Sequence, residues 1–380
     1  MKANYTRVHP KFKLNGISIS YDELDEISYS LIKEGDDYEG KVGQFLLDWI
    51  DSNDYITLQT SGSTGVPKQI TLKKQHMVNS ALATGKFFNL QAGDSALLCL
   101  SAEYIAGKMM LVRAMVLGLE LDVVKPSSNP LIELKNKSYD FCAMVPLQVE
   151  NSLARLDQIK NLIVGGAPIS HSLKEKVKNI KTQVYETYGM TETASHIALK
   201  KINHLSAISA SPSTLPAGKQ GVLRTGPIEN PFKTLVNITV SKDNRDCLII
   251  KAPNIATEPI VTNDVVRIIS DTEFEWLGRY DNVINSGGVK LIPEQIETKL
   301  APLLESRFFI VGLPDEKLGQ KLTLILERED EIVGLLESFK SLKGLEEYEL
   351  PKEILNVSHF IETENGKISR KKTLEQKLGI

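Results

Sequence analysis

A chain of 380 residues with 42% hydrophobic and 24% charged residues is long enough for two or three domains, and its composition excludes the disordered and fibrous classes. A net charge of −3 predicts no nucleic-acid partner. No apolar run follows the basic N-terminal residues, and charged side chains interrupt the apolar stretch 109–124. We therefore predict no signal peptide, no membrane span and a cytoplasmic location. Cys99, Cys142 and Cys247 are widely spaced, which favours small buried side chains over disulfides or a metal site.

The first unusual segment is TSGSTGVPKQ at residues 60–69, which concentrates hydroxyl side chains and glycines ahead of a lysine. The flanking residues 55–59 and 69–72 alternate apolar and polar, so the pattern predicts a hairpin with a long tip. A Walker A loop is excluded because Gly62 and Gly65 are too close and Lys68 follows Pro67. Turned backbone N–H groups, hydroxyl donors and Lys68 suit a polyphosphate, and a flexible solvated turn is the alternative.

The middle of the chain alternates strand-like and helix-like segments. Apolar runs at 95–100, 141–145 and 161–164 predict buried strands, and 107–117 and 171–180 predict helices. This order indicates a mainly parallel sheet with binding sites at its carboxyl edge. The turn GGAP at 165–168 follows one strand directly, where a flat ring could approach the backbone, although a plain tight turn is equally compatible.

Another group of polar and aromatic residues follows in YETYGMTET at 185–193. Tyr188 suits stacking on a base, Thr191 suits a phosphate contact, and Glu192 suits a hard cation such as Mg²⁺. Each of these residues taken singly would be unremarkable, because an isolated glutamate is usually a solvated surface charge.

Together these motifs resemble those of the adenylate-forming superfamily, which comprises acyl and aryl CoA ligases, luciferases and peptide-synthetase adenylation domains. TSGSTGVPK resembles its phosphate loop and YGMTE its central nucleotide motif. GRYDNVINSGGVKLIPEQIE at 278–297 resembles its hinge motif, and ENGKISR at 364–370 its terminal lysine motif. The resemblance runs from about Tyr55 to the last residue.

The resemblance implies an α/β fold with a large N-terminal adenylate-forming domain of mixed sheets and helices at 1–277. A small, mobile α+β C-terminal domain would occupy 278–380, with its hinge near Asp281. ATP, Mg²⁺ and coenzyme A as a substrate would be required, with a small carboxylic acid as the other partner. A homodimer is left open.

Residue roles follow from the same resemblance. The implied ATP- and AMP-binding residues are Thr60, Ser61, Gly62, Ser63, Thr64, Gly65, Lys68, Gly165, Gly166, Ala167, Tyr188, Gly189, Met190, Thr191, Glu192, Asp264 and Arg279. Lys367 would be the catalytic lysine of adenylation, Glu192 the metal ligand, and Gly287 and Gly288 the lining of the CoA channel. Lys367 lies in a basic cluster that could instead be solvated, and we predict that Arg370 to Lys372 are surface charges.

The chain departs from the family pattern in three places. Asn263 replaces the glycine that usually precedes the ribose-binding aspartate. The segment before Thr60 is short, which implies a reduced N-terminal subdomain. Residues 206–230 are rich in Ser, Pro and Gly, which predicts a long loop or insertion.

A narrower resemblance concerns the acid. TETASHIA at 191–198 and EYIAGKMMLVR at 103–113 resemble o-succinylbenzoate CoA ligases of menaquinone synthesis. Their substrate is a dicarboxylate, so a basic or hydrogen-bonding group should hold the unreactive acid, and we predict Lys108, Ser195 and His196. The alternative is that Lys108 and Arg113 extend from an amphipathic helix to the surface while His196 only packs.

Two other functions stay open at this stage. One is an adenylating enzyme that acts on another aryl or acyl acid or loads a carrier protein. The other is a non-catalytic nucleotide-binding sensor, which the presence of Lys68, Glu192, Asp281 and Lys367 disfavours.

Overall fold

The computed structural model describes residues 3–60, 68–134, 137–204, 230–329, 334–342, 344–362 and 368–379. Most of the predicted phosphate loop, Lys367 and nearly all of the Ser/Pro/Gly-rich segment 206–230 lie outside these residues. Contacts divide the chain into two compact units. The first comprises Met1–Ser206, Phe232–Thr239 and Ile250–Ile260, and most of the second comprises Val240–Ile249 and Val261–Ile380. The predicted boundary at residue 277 and the hinge at Asp281 stay predictions.

Helices and strands alternate through the first unit, as the sequence pattern predicts. Its helices are α1 (Leu24–Glu34), α2 (Asp37–Ile50), α3 (Lys74–Phe88), α4 (Ile105–Leu117), α5 (Pro146–Ser152) and α6 (His171–Val177). Its strands are β1 (Lys13–Leu14), β2 (Ile17–Ser18), β3 (Tyr55–Thr60), β4 (Lys68–Lys73), β5 (Ser95–Leu98), β6 (Glu120–Val123), β7 (Tyr139–Met144), β8 (Ile159–Val164), β9 (Gln183–Gly189), β10 (His196–Lys201) and β11 (Phe232–Thr234). The predicted strands are confirmed, and α6 ends three residues earlier than predicted.

The main sheet of the first unit has the strand order β11-β10-β9-β8-β7-β5-β6-β1-β2. Strands β6, β5, β7, β8 and β9 pair in parallel, and β10 returns antiparallel to β9. The predicted parallel sheet is therefore confirmed, and its carboxyl edge lies where the chain leaves β7, β8 and β9. The separate antiparallel pair β3–β4 is the predicted hairpin, with Thr60 opposite Lys68 at the base of its tip.

Helices α3 and α4 pack closely against each other because a small residue stands at their contact. A Cβ on Gly85 would lie only 2.7 Å from Leu117 Cδ2, so a larger residue would require the Leu117 side chain to move. Most residues of α4 between Gly107 and Met115 are buried, which excludes an amphipathic surface helix. Helix α4 ends at Gly118, whose φ of 74° is the left-handed conformation that glycine adopts easily.

The strands of the second unit fall into two groups. Four strands follow the order β12 (Thr239–Lys242), β13 (Cys247–Lys251), β14 (Ile260–Ser270) and β15 (Glu273–Arg279). A five-stranded sheet contains β16 (Ile284–Ser286), β17 (Val289–Leu291), β18 (Phe308–Asp315), β19 (Gly319–Glu327) and β20 (Glu353–Val357). The helices are α7 (Pro293–Leu300), α8 (Leu335–Lys340) and α9 (Arg370–Thr373). The α/β class is thus confirmed.

Three sequence-based details can be compared directly with the structure. Gly287 and Gly288, with φ of 57° and 82°, form the two-residue turn between β16 and β17. The three cysteines are buried and free, as predicted. Within the described residues, no helix has both the length and the apolar character needed to cross a bilayer.

Candidate active site

The turn at Gly165 to Ala167 leaves β8 at the carboxyl edge of the parallel sheet. The Gly165 N–H donates to Met144 O (3.1 Å), and a Cβ on Gly165 would lie 2.3 Å from Thr187 Oγ1 of the neighbouring strand β9. Gly166 has a φ of 84°. This backbone is therefore open to a flat ligand only if both positions lack side chains.

The segment from Tyr188 to Glu192 leaves β9 beside this turn and folds back onto β10. A Cβ on Gly189 would lie 2.4 Å from Ser195 O, so glycine is required for the close return. Thr193 fastens the turn, because its Oγ1 accepts from Met190 N (3.0 Å) and lies 2.7 Å from Ser195 O. The predicted nucleotide motif and the predicted acyl residues are thereby joined in one tight turn.

The base of the predicted phosphate loop lies close to this turn. Strand β4, which begins at Lys68, contacts the 3-10 turn Thr191–Thr193. Glu192 is exposed there. No group of three or more His, Cys, Asp or Glu side chains with metal-ligand spacing occurs in the described part of the chain. A single exposed carboxylate fits Mg²⁺, which usually keeps several waters and is bound by one or two carboxylates with substrate phosphates.

Arg113 is the residue at this site that sequence reasoning did not select. It lies on α4, is 2% exposed, and its Nη2 donates to Ser195 Oγ (3.2 Å) and lies 3.4 Å from His196 Nδ1. Helix α3 completes the cluster, because Ser80 Oγ is 2.8 Å from Ser195 Oγ and Thr84 Oγ1 is 3.4 Å from His196 Nε2. The alternative in which Arg113 extends to the surface is therefore wrong.

The electrostatics of this cluster are set by burial. Burial lowers the pKa of Arg113 to about 9, so the guanidinium is still cationic at neutral pH. Burial, and then the charge of Arg113, hold the pKa of His196 well below its ordinary value. His196 is thus neutral, and because its Nδ1 faces a donor we assign the proton to Nε2, which donates to Thr84.

The cationic Arg113 has no acidic partner among the described residues, and its Nε is buried without a hydrogen bond. Lys74 is the other fully buried lysine or arginine of the described chain, and its Nζ lies 2.6 Å from Asp51 Oδ1. A buried charge is costly unless it is paired. Arg113 is consequently a buried cation that no carboxylate of the described chain pairs, and its nearest aromatic contact is the Phe141 ring, 6.0 Å from the guanidinium carbon.

Lys108 takes a different direction from Arg113, although both lie on α4. Its Nζ lies 5.0 Å from the centroid of the Phe45 ring on α2, and burial lowers its pKa. The structure therefore brings Ser195 and His196 together around Arg113, whereas the described contacts of Lys108 are with α2. A role for Lys108 in binding the acid stays a prediction.

The second unit gathers the other predicted nucleotide residues. Asp264 and Arg279 face each other across β14 and β15, and Arg279 Nη1 lies 3.3 Å from Asp264 Oδ1. Arg279 Nη2 also lies 3.3 Å from Asp281 Oδ2, and Asn263 Nδ2 contacts the same carboxylate at 3.3 Å. The asparagine that replaces the usual glycine thus donates to the predicted hinge residue.

One prediction for this unit is wrong. Arg370 is not a surface charge, because its Nη2 lies 3.0 Å from Glu297 Oε2 and 3.5 Å from Glu294 Oε1, and its side chain is 24% exposed. Lys371 and Lys372 are exposed, as predicted.

Comparison with known proteins identifies the family. The AMP-binding enzyme model matches residues 5–222. The 2-succinylbenzoate--CoA ligase of Listeria monocytogenes is 24% identical over 95% of this chain and 76% of that protein. An acyl-CoA synthetase (AMP-forming)/AMP-acid ligase II-like protein from Dyadobacter fermentans has 36% identity, a TM-score of 0.58, and coverage of 93% of this chain and 98% of that one.

A further solved structure supports the fold. The o-succinylbenzoate CoA synthetase of Bacillus subtilis, in complex with the acyl-adenylate intermediate OSB-AMP, has a TM-score of 0.72 at 15% identity, covering 95% of this chain and 94% of that one. The predicted superfamily is confirmed by these matches. The chain belongs to the family of AMP-binding enzymes.

Proposed function

We propose that this chain is an ATP-dependent acid–thiol ligase that converts o-succinylbenzoate into its CoA thioester through an acyl adenylate. Family membership supports the chemistry, and the names of the relatives suggest the acid. The observation that supports a dicarboxylate substrate is Arg113. Its buried guanidinium lies beside Ser195 and His196 and has no acidic partner in the described chain.

The proposed reaction has two displacements. A carboxylate oxygen of the acid attacks the α-phosphorus of ATP, the bond to the pyrophosphate oxygen breaks, and acyl-AMP forms. The thiolate of CoA then attacks the acyl carbon, and the bond to the AMP oxygen breaks. Because acyl-AMP is prone to hydrolysis, the site must exclude water between the two steps.

The residue roles in this proposal follow the sequence motifs. The loop from Thr60 to Gly65 with Lys68 would bind the β- and γ-phosphates, and Lys367 would meet the negative charge that develops on the phosphoryl oxygens. The turn at Gly165 would flank adenine, beside Tyr188. Rotation about Asp281 would withdraw Lys367 before the thiol step.

Glu192 would hold Mg²⁺ together with the phosphates of ATP, because it is an exposed carboxylate on the turn that β4 contacts. When bound, Mg²⁺ supplies positive charge that offsets the charge on the phosphates.

Arg113 would bind the carboxylate that does not react. A guanidinium matches a carboxylate through two parallel N–H donors, and Nη1 and Nε of Arg113 have no oxygen acceptor in the described chain. An incoming carboxylate would therefore supply the missing acceptor and neutralise the buried charge. Ser195 and the neutral His196 would hold the guanidinium in position.

The test is pyrophosphate release with ATP, Mg²⁺ and three acids, each with and without CoA. The acids are o-succinylbenzoate, benzoylpropionate, which lacks the ring carboxylate, and ortho-propionylbenzoate, which lacks the side-chain carboxylate. We expect strong release and a CoA thioester with o-succinylbenzoate, and weaker release with the monoacid that keeps the reactive carboxylate. Equal rates with the diacid and that monoacid would contradict a dicarboxylate site.

The partners in this proposal are small molecules: ATP, CoA and the acid. Sedimentation velocity on the purified chain would show whether it forms the homodimer that the sequence leaves open.

A further inference from the structure

Three charged side chains of the second unit are packed together below the exposed surface. Glu294 and Glu297 lie one turn apart on α7, with side chains 10% and 18% exposed, and Arg370 begins α9. Besides its two ion pairs, the Arg370 guanidinium donates from Nη1 to Ile310 O (3.1 Å) and stands 5.5 Å from the centroid of the Phe309 ring. Arg370 is thus held at several points by α7 and β18.

This cluster also reaches the segment that contains the predicted hinge. Asn282 Nδ2, next to Asp281 in the chain, donates to Glu294 Oε1 (2.6 Å). A Cβ on Gly278 would lie 2.3 Å from Glu294 Oε2, so any larger residue there would displace the glutamate. Glu294 therefore connects Asn282, the residue after Asp281, to Arg370.

The other end of the cluster adjoins residues 363–367, which include Lys367. Glu362 and Ile368 form an antiparallel bridge, and Ser369 N donates to Ile361 O (2.8 Å). Ile361 N donates to Thr373 Oγ1 (3.0 Å), one turn beyond Arg370. The chain on both sides of residues 363–367 is therefore fastened, and Arg370 anchors the C-terminal side to α7.

We propose that Arg370 is a positioning residue for adenylation, because its ion pairs with Glu297 and Glu294 join the segment after Lys367 to the hinge segment. This inference rests on the proposed function, in which Lys367 acts in the first step alone. A hinge delivers a distant side chain accurately only when no soft joint lies between them. Misplacement by about 1 Å can cost about a hundredfold in rate, so the ion pairs would matter for Lys367 and not for the thiol step.

The experiment compares the two half-reactions in the full-length chain. Adenylation is measured as pyrophosphate release without CoA, and the thiol step as thioester formation from supplied acyl-AMP and CoA. Arg370→Ala is expected to lower the adenylation rate by about 10- to 100-fold and to leave the thiol step within about threefold. Arg370→Lys is expected to restore part of the loss, since a point charge still meets Glu297 but cannot reproduce the guanidinium fork.

The matched control is Arg267→Ala. Arg267 pairs with Glu275 at 2.6 Å across β14 and β15, both side chains are 19% exposed, and the pair is not part of the Arg370 cluster. We expect a comparable loss of stability and no selective loss of adenylation. If Arg370→Ala lowers both half-reactions equally, lowers neither, or behaves as Arg267→Ala does, the positioning role is wrong.

Two further arms keep the inference testable. If Arg370→Ala does not fold, Glu297→Gln keeps the shape of the partner and removes its charge, and at about pH 8, where Glu297 is ionised, it must lower adenylation selectively. Activity and hydrogen exchange together separate the two proposals. An inactive wild-type chain would refute the proposed function. Unchanged exchange of the Ser369 and Ile361 amides in Arg370→Ala would refute the anchoring role of Arg370, whatever the activity.

Discussion

Replacing Arg113 with methionine should stabilise the protein and damage its selection of the acid. A pKa lowered from 12.5 to about 9 corresponds to about 5 kcal/mol of cost for holding the charged form in the fold. The sign follows from linkage: this cost is present at every pH below about 9 and is relieved only as the pH rises toward 12.5. Methionine is unbranched and fills the buried volume without a charge.

The gain is reduced by the contacts that are lost. The hydrogen bonds of Arg113 with Ser195 and His196 are long, at 3.2 and 3.4 Å, and contribute about 1 kcal/mol each. A net increase of about 1–3 kcal/mol in the free energy of unfolding remains. For domains of about 150–250 residues this raises the melting temperature by about 2–4 °C per kcal/mol, measured by calorimetry without ligand.

The functional effect should have the opposite sign. Removing one partner of a buried charge pair costs about 2–5 kcal/mol, so kcat/KM for o-succinylbenzoate should fall by between about 30-fold and a few thousandfold. For the monoacid that lacks the unreactive carboxylate, Arg113→Met should leave kcat/KM almost unchanged. This difference between the two acids is the signature of a direct interaction in a double-mutant cycle. The same cycle with Lys108→Met tests the competing assignment.

The result that would refute this reasoning is specific. A less stable Arg113→Met variant with an unchanged ratio of kcat/KM for the diacid and the monoacid would make Arg113 a structural residue. If the preference for the diacid is lost in Lys108→Met and kept in Arg113→Met, the unreactive carboxylate is bound by Lys108.

Three other predictions concern separate parts of the molecule. Lys367→Ala should suppress acyl-AMP formation by orders of magnitude and spare transfer from supplied acyl-AMP to CoA; equal loss in both assays would contradict a lysine used in one step. Gly189→Ala should destabilise the chain by about 1–3 kcal/mol and weaken AMP binding measured by calorimetry, because the new methyl would meet Ser195 O; normal binding and stability would contradict the tight turn. Burial raises the pKa of Glu297 to about 7, so folding takes up a proton between about pH 4.5 and 7. The stability of the fold therefore falls as the pH rises through that range. Glu297→Gln should therefore remove up to about 3 kcal/mol of the change in the free energy of unfolding across this pH range, measured by chemical denaturation at several pH values. An unchanged pH dependence would show that Glu297 is ionised throughout.

The fold was predictable where the pattern is local. Alternation at 55–59 and 69–72 predicted the β3–β4 hairpin, and short apolar runs predicted β5, β7 and β8, because the period of buried side chains is a property of each strand alone. Motif spacing located the turn at Gly165 and the segment from Tyr188 to Glu192 at the carboxyl edge. Both lie where the parallel sheet places them.

The environments of Arg113 and Arg370 were not predictable from local patterns. Arg113 contacts Ser195, 82 positions away, and Arg370 contacts Glu297, 73 positions away. A lone arginine in the apolar run of α4 was the available signal, since a charge inside a buried helix needs a reason. Arg370 gave no such signal, because the two lysines that follow it are exposed.

The buried and partly buried cations of the described chain differ in their charge partners. Lys74 is completely buried and pairs with Asp51, and the partly buried Arg370 meets two carboxylates. Both obey the rule that a charge removed from water is compensated by the fold. Arg113 breaks that rule among the described residues, at the end of the turn that carries the nucleotide motif. In the proposed function a carboxylate of the acid pairs with Arg113 and removes this cost, so a bound diacid should stabilise the protein more than a monoacid that lacks the unreactive carboxylate.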